Sequence, residues 1–399
     1  MKHPNRIHRN FSQSLLILVL FSVSAAAATI TVTNTNDSGV GSLRQAITDA
    51  APGDTIVFNI TGTIALTSGE LVIDKSLKIR GPGAGLLSVS GDRVHVSSVF
   101  YVNYGVTTTF DGITIKDSPW KNGGGISNQG ALTVSNCNIS GNGSETYGGY
   151  GDGGGIYNAS SATLNLIGST VSGNISSDYD GNSTGGGIYN RGAITIKNST
   201  ISDNVSNTGG GICNYGTMTV MNSTISGNTT RWSGDGGGGI FDSDPFNSTV
   251  ALTIVNSTIS HNTGGGITSY CNFGNCPDNE SLVNTIVAGN TRDGYPTDVY
   301  GTIETASDNL IGDAGSSGGI QHGVNGNIVG KNPMLGPLQN NGGPTMTHAL
   351  LAGSPAINAG DNALAIGPTD QRGAGFARIV GGTVDIGSFE LQIRPFLPW

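Results

Sequence analysis

The chain is poor in charge and in aromatic side chains: 11% of its 399 residues are charged and 6% are aromatic. The charges are unbalanced, because 18 lysines and arginines are set against 27 aspartates and glutamates, which leaves a net charge of −9. A chain with so few cations lacks the basic surface that nucleic acids and anionic membranes bind. The shortage of aromatic residues argues against a bulky globular core and favours narrow, stacked turns.

Cysteine is scarce as well, with four residues in the chain. Cys271 and Cys276 flank a loop of four residues, which predicts a disulfide between them in an exported chain. Cys137 and Cys213 occupy different positions of a sequence repeat, and we expect two buried thiols there instead of a bond. No Cys-x-x-Cys spacing or histidine pair indicates zinc, so calcium, considered below, is the one cofactor that the sequence suggests.

Long apolar segments are missing beyond the N-terminus. The one apolar run, residues 15–23, follows Lys2, Arg6 and Arg9 and precedes the small residues 24–28. A basic start, a short apolar centre and a small-residue end are typical of a secretory signal peptide, which we place at residues 1–28. We therefore expect an exported protein, extracellular or at the cell surface with the periplasm as an alternative, and no transmembrane segment in the mature chain.

Glycine is abundant, with 65 residues, and many of them belong to a repeat between residues 122 and 290. Each copy opens with three glycines and an isoleucine and closes with Ser-x-Asn, and the shortest step, from Ile188 to Ile212, is 24 residues. Within a copy, as in residues 194–197, β-branched and polar residues alternate with the period of a strand, and no copy carries a helical stripe. The openings end at Ile126, Ile156, Ile188, Ile212, Ile240 and Ile267, and the closings end at Asn142, Asn174, Asn204, Asn228 and Asn262.

Repeats of this kind predict an all-β chain wound into a right-handed parallel β-helix, because strands this short satisfy their backbone groups only by pairing with the next copy. We place the β-helix at residues 29–330, with regular coils at 122–290. The main rival, a leucine-rich solenoid, requires a leucine framework and a convex helix that are missing here. Asparagine recurs at three turn positions, where left-handed geometry and stacked amides favour it: Asn198, Asn222 and Asn256; Asn204, Asn228 and Asn262; and Asn158, Asn190 and Asn214.

A short amphipathic helix is predicted near the N-terminus, as a cap at residues 41–51. Ser42 and Gln45 have the spacing of a capping box, and Leu43 and Ile47 belong to one apolar face. A helix with a polar outer face protects the unpaired strands at the end of a solenoid. The segment resembles the Ser-Leu-Arg-Glu-Ala-Ile motif at the start of exported bacterial β-helix proteins of the pectin-lyase-like kind, with Gln45 in place of the glutamate.

Residues 331–390 resemble the choice-of-anchor Q domain, and a short tail follows at residues 391–399. The resemblance rests on five ordered blocks, at residues 332–338, 341–345, 354–360, 370–373 and 385–390. In that family the domain commonly precedes a surface-sorting tail, and residues 391–399 do not resemble one. We expect the charged residues of the region to form a buried network that closes the last coil: Asp370, Arg372, Asp385 and Glu390.

The copies of the repeat differ mainly in one loop, between the closing asparagine and the next glycine triplet. Because the coils stack in register, these loops project from one edge of the β-helix, and loops on a rigid scaffold commonly carry function. They hold aromatic residues beside carboxylates, which suit a sugar polymer or calcium. Asp178 and Asp180 resemble half of a calcium loop and are the predicted calcium ligands. The predicted ligand-binding residues are Tyr147, Tyr150, Asp152, Asp178, Tyr179, Asp180, Arg231, Trp232 and Asp235.

From these features we predict a monomeric, non-catalytic protein that binds a polysaccharide or another cell-surface component, or mediates adhesion. The sequence singles out no catalytic residue. The alternative is a polysaccharide lyase or a glycoside hydrolase acting in a groove along the β-helix, an architecture that such enzymes share.

The alternative enzymes would need different groups. A lyase would use a basic residue, and the candidates are Lys197, Arg191 and Arg231. A hydrolase would use a pair of carboxylates, and the candidates are Asp242 with Asp244 and Asp178 with Asp180. His261 replaces a glycine or aspartate of the repeat in an outward turn, and we expect it to be a solvated substitution.

Overall fold

The fold is a parallel β-helix in which each coil visits three long sheets in turn. The computed structural model describes residues 26–91, 97–118, 123–146, 151–178, 183–231, 236–243, 251–270 and 279–392. We number the sheets 1, 2 and 3 in the order in which a coil meets them after its glycine triplet. Within the described residues every pairing in these sheets is parallel and joins one coil to the next.

The strands are short, with two to five residues each. As far as the chain is described, sheet 1 contains Leu71–Ile73, Phe100–Val102, Ile126–Asn128, Ile156–Asn158, Ile188–Asn190, Ile212–Asn214, Ile240–Ser243, Ile267–Tyr270 and Val299–Tyr300. Sheet 2 contains Thr29–Val32, Thr55–Phe58, Leu77–Arg80, Thr107–Asp111, Ala131–Ser135, Thr163–Ile167, Ala193–Lys197, Thr217–Met221, Ala251–Val255, Ser281–Val283 and Thr305–Ser307. Sheet 3 contains Gly62–Ala65, Leu87–Ser90, Thr114–Lys116, Asn138–Ser140, Thr170–Ser172, Thr200–Ser202, Thr224–Ser226, Thr258–Ser260, Ile286–Ala288, Leu310–Ile311 and Ile328–Val329.

Smaller elements complete the fold. A short parallel sheet, the loop sheet, joins the first residues of the variable loops: Gly143–Thr146, Ile175–Asp178, Val205–Ser206 and Thr229–Thr230. Antiparallel hairpins pair Thr291–Arg292 with Tyr295–Pro296, Leu335–Gln339 with Thr347–Leu350, and Ile379–Val380 with Thr383–Val384. The helical elements are an α-helix at Leu43–Asp49 and a 3-10 helix at Asn362–Leu364.

The core is a single column of aliphatic side chains inside the coils. One coil contributes Ile188 from sheet 1, Ile196 from sheet 2 and Ile201 from sheet 3, and all three are fully buried. Strand alternation explains this arrangement, because every second residue of each strand faces inward. The repeat therefore supplies the same inward positions coil after coil, and the cores of successive coils merge.

The glycine triplets lie in one column, as the repeat predicts. The Ile188 N–H donates to the Gly211 carbonyl over 2.9 Å, which joins two triplets across neighbouring coils. A Cβ on Gly187 would lie 2.7 Å from that carbonyl oxygen and 2.9 Å from Asn204 Nδ2. Glycine is therefore required here by the close approach of the next coil and of a buried side chain.

Two of the three asparagine columns are hydrogen-bonded amide ladders. In one, Asn158 Nδ2 donates to Asn190 Oδ1 over 2.8 Å, and in the other, Asn204 Nδ2 donates to Asn228 Oδ1 over 2.9 Å. The amides are buried, so each rung pairs groups that water cannot reach. The ladders consist of Asn128, Asn158, Asn190 and Asn214, and of Asn142, Asn174, Asn204, Asn228, Asn262 and Asn290.

The third column has a different role. Asn198, Asn222 and Asn256 adopt left-handed φ angles of 52°, 46° and 48° at the turn between sheets 2 and 3. Asn222 Nδ2 donates to the Ile366 carbonyl over 3.2 Å, and the Ile366 N–H donates to Asn256 Oδ1 over 3.0 Å. This column therefore makes the turn and binds the C-terminal part of the chain.

The N-terminal helix covers the first coil, but its predicted capping box is only half formed. Ser42 Oγ accepts a hydrogen bond from the Gln45 N–H over 3.2 Å, as expected. Gln45 Nε2 does not reach back to Ser42; it donates to Asp49 Oδ1 over 2.7 Å. The glutamine thus supports its own helix one turn later instead of the cap. The apolar face is buried as predicted and contains Leu43, Ala46 and Ile47.

The C-terminal region, residues 331–392, packs against the outer face of sheet 3 and not over the last coil, so the expectation that its charges close that coil is wrong. Gln371 lies at the centre of the contact: its Nε2 donates to Thr200 Oγ1 over 3.0 Å, and its Oε1 accepts from Thr224 Oγ1 over 2.6 Å. These threonines face outward on two successive coils. Their hydroxyls make sheet 3 a surface that a polar segment can cover.

The charged residues of the C-terminal region are buried and paired, as predicted. Arg372 Nη2 donates to Asp370 Oδ2 over 2.6 Å, and its guanidinium lies 3.9 Å from the ring centroid of Phe376 and 3.8 Å from that of Phe389. An ion pair held between two rings in this way fixes the region internally. The buried charged residues are Asp370, Arg372, Arg378, Asp385 and Glu390.

Candidate functional site

A column of aromatic side chains runs along the outer side of sheet 1. Neighbouring ring centroids lie 5.4, 5.6, 6.2 and 5.8 Å apart, and the first pair is stacked with an interplanar angle of 18°. Coils of a parallel sheet repeat at about 4.8 Å, so a column over five coils is about 19 Å long. We call this surface the aromatic face; it consists of Tyr157, Tyr189, Tyr215, Phe241 and Tyr270.

The aromatic face follows from the repeat, although our sequence analysis missed it. Tyr157, Tyr189 and Phe241 each come directly after the opening isoleucine of a copy, and this position pairs in register from coil to coil. Because the isoleucine faces inward, the next residue faces outward. The signal in the sequence is therefore an aromatic residue at one fixed repeat position, which three of the five rings occupy. Tyr215 and Tyr270 come from the position two residues later in their coils.

The rings of the aromatic face pack mainly on one another. Tyr189 is 6% exposed and Phe241 is 7% exposed, whereas Tyr157, Tyr215 and Tyr270 are half-buried. Burial raises the pKa of the Tyr189 and Tyr215 phenols, so both hydroxyls remain protonated and able to donate. A ligand would therefore meet ring edges and tyrosine hydroxyls, a mixture of apolar and polar contacts that suits sugars.

Asp152 lies beside the aromatic face. Its backbone forms a parallel bridge with Thr184 in the next coil, and Thr184 Oγ1 donates to its carboxylate. Burial raises the pKa of Asp152 to about 6, against the lowering effects of the Thr184 hydrogen bond and the nearby Arg191. Asp152 therefore changes its protonation close to neutral pH, next to a permanent cation. Such carboxyl groups are candidates for acid–base work or for ligand hydrogen bonds.

Cys213 occupies the outward position of the aromatic face between Tyr189 and Phe241, as the alignment of the repeats predicts. It is a free, buried thiol, and Cys137 is another. Burial raises the pKa of the Cys213 thiol well above its usual value, while a hydrogen bond from Tyr215 acts against the shift. Cys213 is thus protonated and fills space in the column instead of reacting.

The variable loops stack in register where the structure describes them. In the loop sheet, Thr146 pairs with Asp178, and Val205 pairs with Thr229. Arg231, in the same row, donates from Nη1 to Ser177 Oγ over 3.3 Å. Arg231 thus connects two loops along the axis of the β-helix, on the edge where we predict ligand binding.

Most of the predicted loop ligands lie outside the described residues. These are Tyr147, Tyr150, Tyr179, Asp180, Trp232 and Asp235, together with the side chain of Asp178. The calcium pair Asp178 and Asp180 and the disulfide between Cys271 and Cys276 therefore stay predictions. In the part of the chain that the structure does describe, no group of three or more His, Cys, Asp or Glu side chains is arranged to hold a metal ion.

The residues considered for catalysis are dispersed. Lys197 belongs to sheet 2, whereas Arg191 follows a strand of sheet 1 and lies near Asp152. Asp242 is fully buried on the inner side of sheet 1 and accepts a hydrogen bond from Asn214 Nδ2 over 2.5 Å. Its proposed pairing with Asp244 as a hydrolase site is wrong, because a polymer cannot reach a carboxylate inside the coil. Asp244 itself lies outside the described residues.

Comparisons with known proteins bear on the fold. No protein-family profile matches the sequence, and no curated protein matches it. Among solved structures, the chain is similar to the crystal structure of pectate lyase Pel9A, with a TM-score of 0.51, 15% identity, and coverage of 92% of this chain and 97% of that one. The PL6 family alginate lyase AlyGC matches with a TM-score of 0.27, 13% identity, and coverage of 86% and 60%. The chain thus has the pectin-lyase-like parallel β-helix fold.

Proposed function

We propose that the chain is an exported β-helix protein that binds a polysaccharide along the aromatic face and the adjoining loops, without converting it. The observation that carries the proposal is the aromatic face itself, which offers similar contacts on five successive coils, with Asp152 and Arg191 beside it. A surface that repeats along an axis suits a ligand that also repeats. Adhesion to a cell surface or matrix glycan is the role that such binding would serve.

The charge of the protein favours a neutral or weakly charged glycan. The chain has 18 cationic residues against 27 anionic ones, and Asp152 adds a carboxyl group at the site. A polyuronate would bring one negative charge per sugar, and a surface with few cations does not repay the desolvation of those charges. We therefore expect cellulose-like or mannan-like polymers to bind more tightly than pectate or alginate.

Replacing half-buried rings of the aromatic face tests the proposal. We expect the double variant Tyr215→Ala and Tyr270→Ala to lose at least tenfold in affinity for the polymer that the wild type binds, because two ring contacts with the sugars are removed. Tyr104→Ala is the matched control, since Tyr104 is 78% exposed and lies outside the aromatic face. Retention on a panel of insoluble polysaccharides is the measurement. Equal retention of all three proteins would contradict the assignment of the site.

A polysaccharide lyase or hydrolase is the second candidate, and Asp152 is the observation that favours it. The pKa of Asp152 is about 6, so its carboxylate form, the form that accepts a proton, grows as pH rises through 6. If the chain were a lyase using this base, product formation would rise over the same interval and would be lost in Asp152→Asn. The absorbance of unsaturated sugars and the amount of reducing ends are measured on the same panel of polysaccharides. Together they distinguish turnover from binding alone.

Export and surface location belong to the proposal as well. They are supported by the predicted signal peptide at residues 1–28 and by the resemblance of residues 331–390 to the choice-of-anchor Q domain. No helix among the described residues is long and apolar enough to cross a membrane. N-terminal sequencing of protein recovered from the medium and from the washed cell surface tests both parts: a mature N-terminus near Thr29 is expected.

A further inference from the structure

A cavity lies between the last coils and the C-terminal region, away from the aromatic face. Its volume is about 630 Å³, within the range of small-molecule sites. We call it the terminal cavity. It is lined by Ser260, His261, Ala288, Gly289, Pro296, Asp298, Gly312, Asp313, Asn332, Pro333, Met334, Leu335 and Leu351.

The sequence of sheet 3 explains why space opens here. The last residue of each sheet 3 strand faces outward, and in the central coils this residue is serine, as in Ser226 and Ser260. In the next coil it is Ala288, paired in register with Ser260, and one coil later Gly312 follows the strand. The surface of sheet 3 that lines the cavity therefore has smaller side chains and no serine hydroxyl at the place where the C-terminal region crosses it.

The coils contribute hydrogen-bond acceptors to the terminal cavity. Ser260 Oγ donates to the Ala288 carbonyl over 2.5 Å and lies 2.8 Å from His261 Nδ1. Because a carbonyl only accepts, the serine proton is used there, and His261 Nδ1 must donate to Ser260. The neutral ring therefore carries its proton on Nδ1 and keeps Nε2 as an acceptor.

Two carboxylates, those of Asp298 and Asp313, add to these acceptors. Both oxygens of Asp298 accept N–H bonds, from Asn290 and from the Asp313 backbone, so Asp298 contributes charge but is fully engaged. Asp313 Oδ2 accepts from Ser316 Oγ over 2.7 Å. Within the described residues, Asp313 Oδ1 accepts no hydrogen bond and remains for a ligand. No lysine or arginine lines the cavity.

The wall contributed by the C-terminal region is largely apolar. Met334 is 41% exposed and Leu351 is 48% exposed, and both line the cavity together with Leu335. Met334 has a φ angle of 52°, a left-handed conformation that long side chains rarely adopt. A strained residue that holds an apolar side chain at a cavity mouth is a recurrent feature of binding sites.

From the acceptors on the coils, the apolar wall on the C-terminal region and the absence of cationic side chains among the described lining residues, we infer that the terminal cavity binds a small organic cation with an apolar body, such as an aryl-alkyl amine. The ammonium group donates to the Asp313 carboxylate and to His261 Nε2, and the apolar body lies against Met334 and Leu351. Charge complementarity selects the cation, because a neutral or anionic head leaves the Asp313 carboxylate without a cationic partner.

Three probes of equal size test the inference on the purified protein: benzylamine, benzyl alcohol and benzoate, titrated by calorimetry and by ligand-observed NMR. We expect benzylamine to bind at least tenfold more tightly than benzyl alcohol, and benzoate not to bind. Equal affinities for the amine and the alcohol, or no binding of the amine, would overturn the inference.

Variants place the binding in the terminal cavity. Asp313→Asn should lower benzylamine affinity at least tenfold, whereas Asp308→Asn, a nearby carboxylate outside the lining, should leave it unchanged. His261→Gly should weaken binding severalfold and still fold, because the left-handed position, with φ of 58°, is glycine in other coils, as at Gly289. Unchanged affinity in Asp313→Asn would rule out this cavity. Thermal melting confirms that each variant is folded.

Discussion

At the scale of single residues, the least expected feature is a pair of carboxyl groups inside the coils. Glu280 and Asp242 are both fully buried. Burial, followed by the negative charge of Asp242, raises the pKa of Glu280 far above its usual value of 4.5. Two neighbouring buried carboxyl groups cannot both ionise, so Glu280 keeps its proton at neutral pH.

This pair makes stability depend on pH. The unfolded chain releases the Glu280 proton near pH 4.5, whereas the folded chain retains it to much higher pH. Between these limits the folded state binds more protons, so the free energy of unfolding falls as pH rises.

Glu280→Gln should remove this pH dependence, because glutamine has a similar shape and no acidic proton. We expect little change near pH 4.5 and a gain on the order of 2 kcal/mol near pH 8. Urea unfolding at both pH values is the measurement. Asp74→Asn, on an exposed aspartate of an early coil, is the control and should show no such gain. A loss of stability at pH 8 in Glu280→Gln would show that the pair is not protonated.

At the scale of structural elements, the amide ladders have a direction and a defined end. Every rung donates toward the C-terminal coil, and each of the two long ladders stops at an aspartate: Asn214 donates to Asp242, and Asn290 donates to Asp298. The final member needs only to accept a hydrogen bond. A carboxylate accepts with two oxygens, whereas an amide accepts with one and carries an NH2 group that needs a partner of its own. The aligned amide dipoles also favour a negative charge at this end, as at a helix N-terminus.

The ladders should carry much of the stability of the coils. The Asn204 side chain makes four hydrogen bonds: its Oδ1 accepts from the N–H and Nδ2 of Asn174, and its Nδ2 donates to the Val171 carbonyl and to Asn228 Oδ1. Asn204→Ala leaves these buried groups unpaired, and we expect it to lower the free energy of unfolding by about 3 kcal/mol or more.

The control for this change comes from the same coil. Asn198 adopts a left-handed turn with φ of 52°, so Asn198→Gly should change stability by no more than a few tenths of a kcal/mol. Both variants are measured by urea unfolding followed by far-ultraviolet circular dichroism. Similar losses in the two variants would mean that the amide ladder gives no special stability.

At the scale of the whole molecule, two parts of the chain meet on the outer face of sheet 3. Part of the contact is polar: threonines of sheet 3 and turn asparagines bind Gln371, Ile366 and other groups of the C-terminal region. Another part is apolar, because sheet 3 and the region share a buried cluster that includes Leu310 and Phe389. The region also has its own buried ion pairs. It is thus an internally fixed unit held on the β-helix by hydrogen bonds and by an apolar cluster.

Gln371→Leu should loosen the C-terminal region while the coils stay folded. The leucine fills the space but removes the hydrogen bonds that the glutamine makes with Thr200 and Thr224, and the loss of hydrogen bonds in a buried contact is costly. Limited proteolysis is the measurement: we expect cleavage within residues 331–392 at least tenfold faster than in the wild type, with the coils intact. The control is Gln339→Ala, on an exposed glutamine. Equal cleavage rates would show that Gln371 does not hold the contact.

The sequence by itself determined the winding of this protein. The spacing of the glycine triplets and asparagines placed the regular coils at residues 122–290, because a stacked fold turns equal positions in the chain into columns in space. Individual elements were predicted well for the same reason, such as Thr55–Phe58 and Leu71–Ile73, where strand alternation alone selects the buried face. The buried charges around Arg372 were also predicted, because charged residues within an apolar segment require partners.

Only the tertiary structure decided which side chains of different parts of the chain come into contact across the coils. Nothing in residues 331–390 shows that they cover sheet 3, because the contact depends on outward threonines that a coil pattern leaves indistinguishable from solvent-facing ones. The aromatic face and the Asp152 environment depend in the same way on register and burial. The pairing of Glu280 with Asp242 required a turn that brings residues 38 positions apart into contact. A repeat fixes positions along the axis, but lateral contacts depend on side chains that the repeat does not constrain.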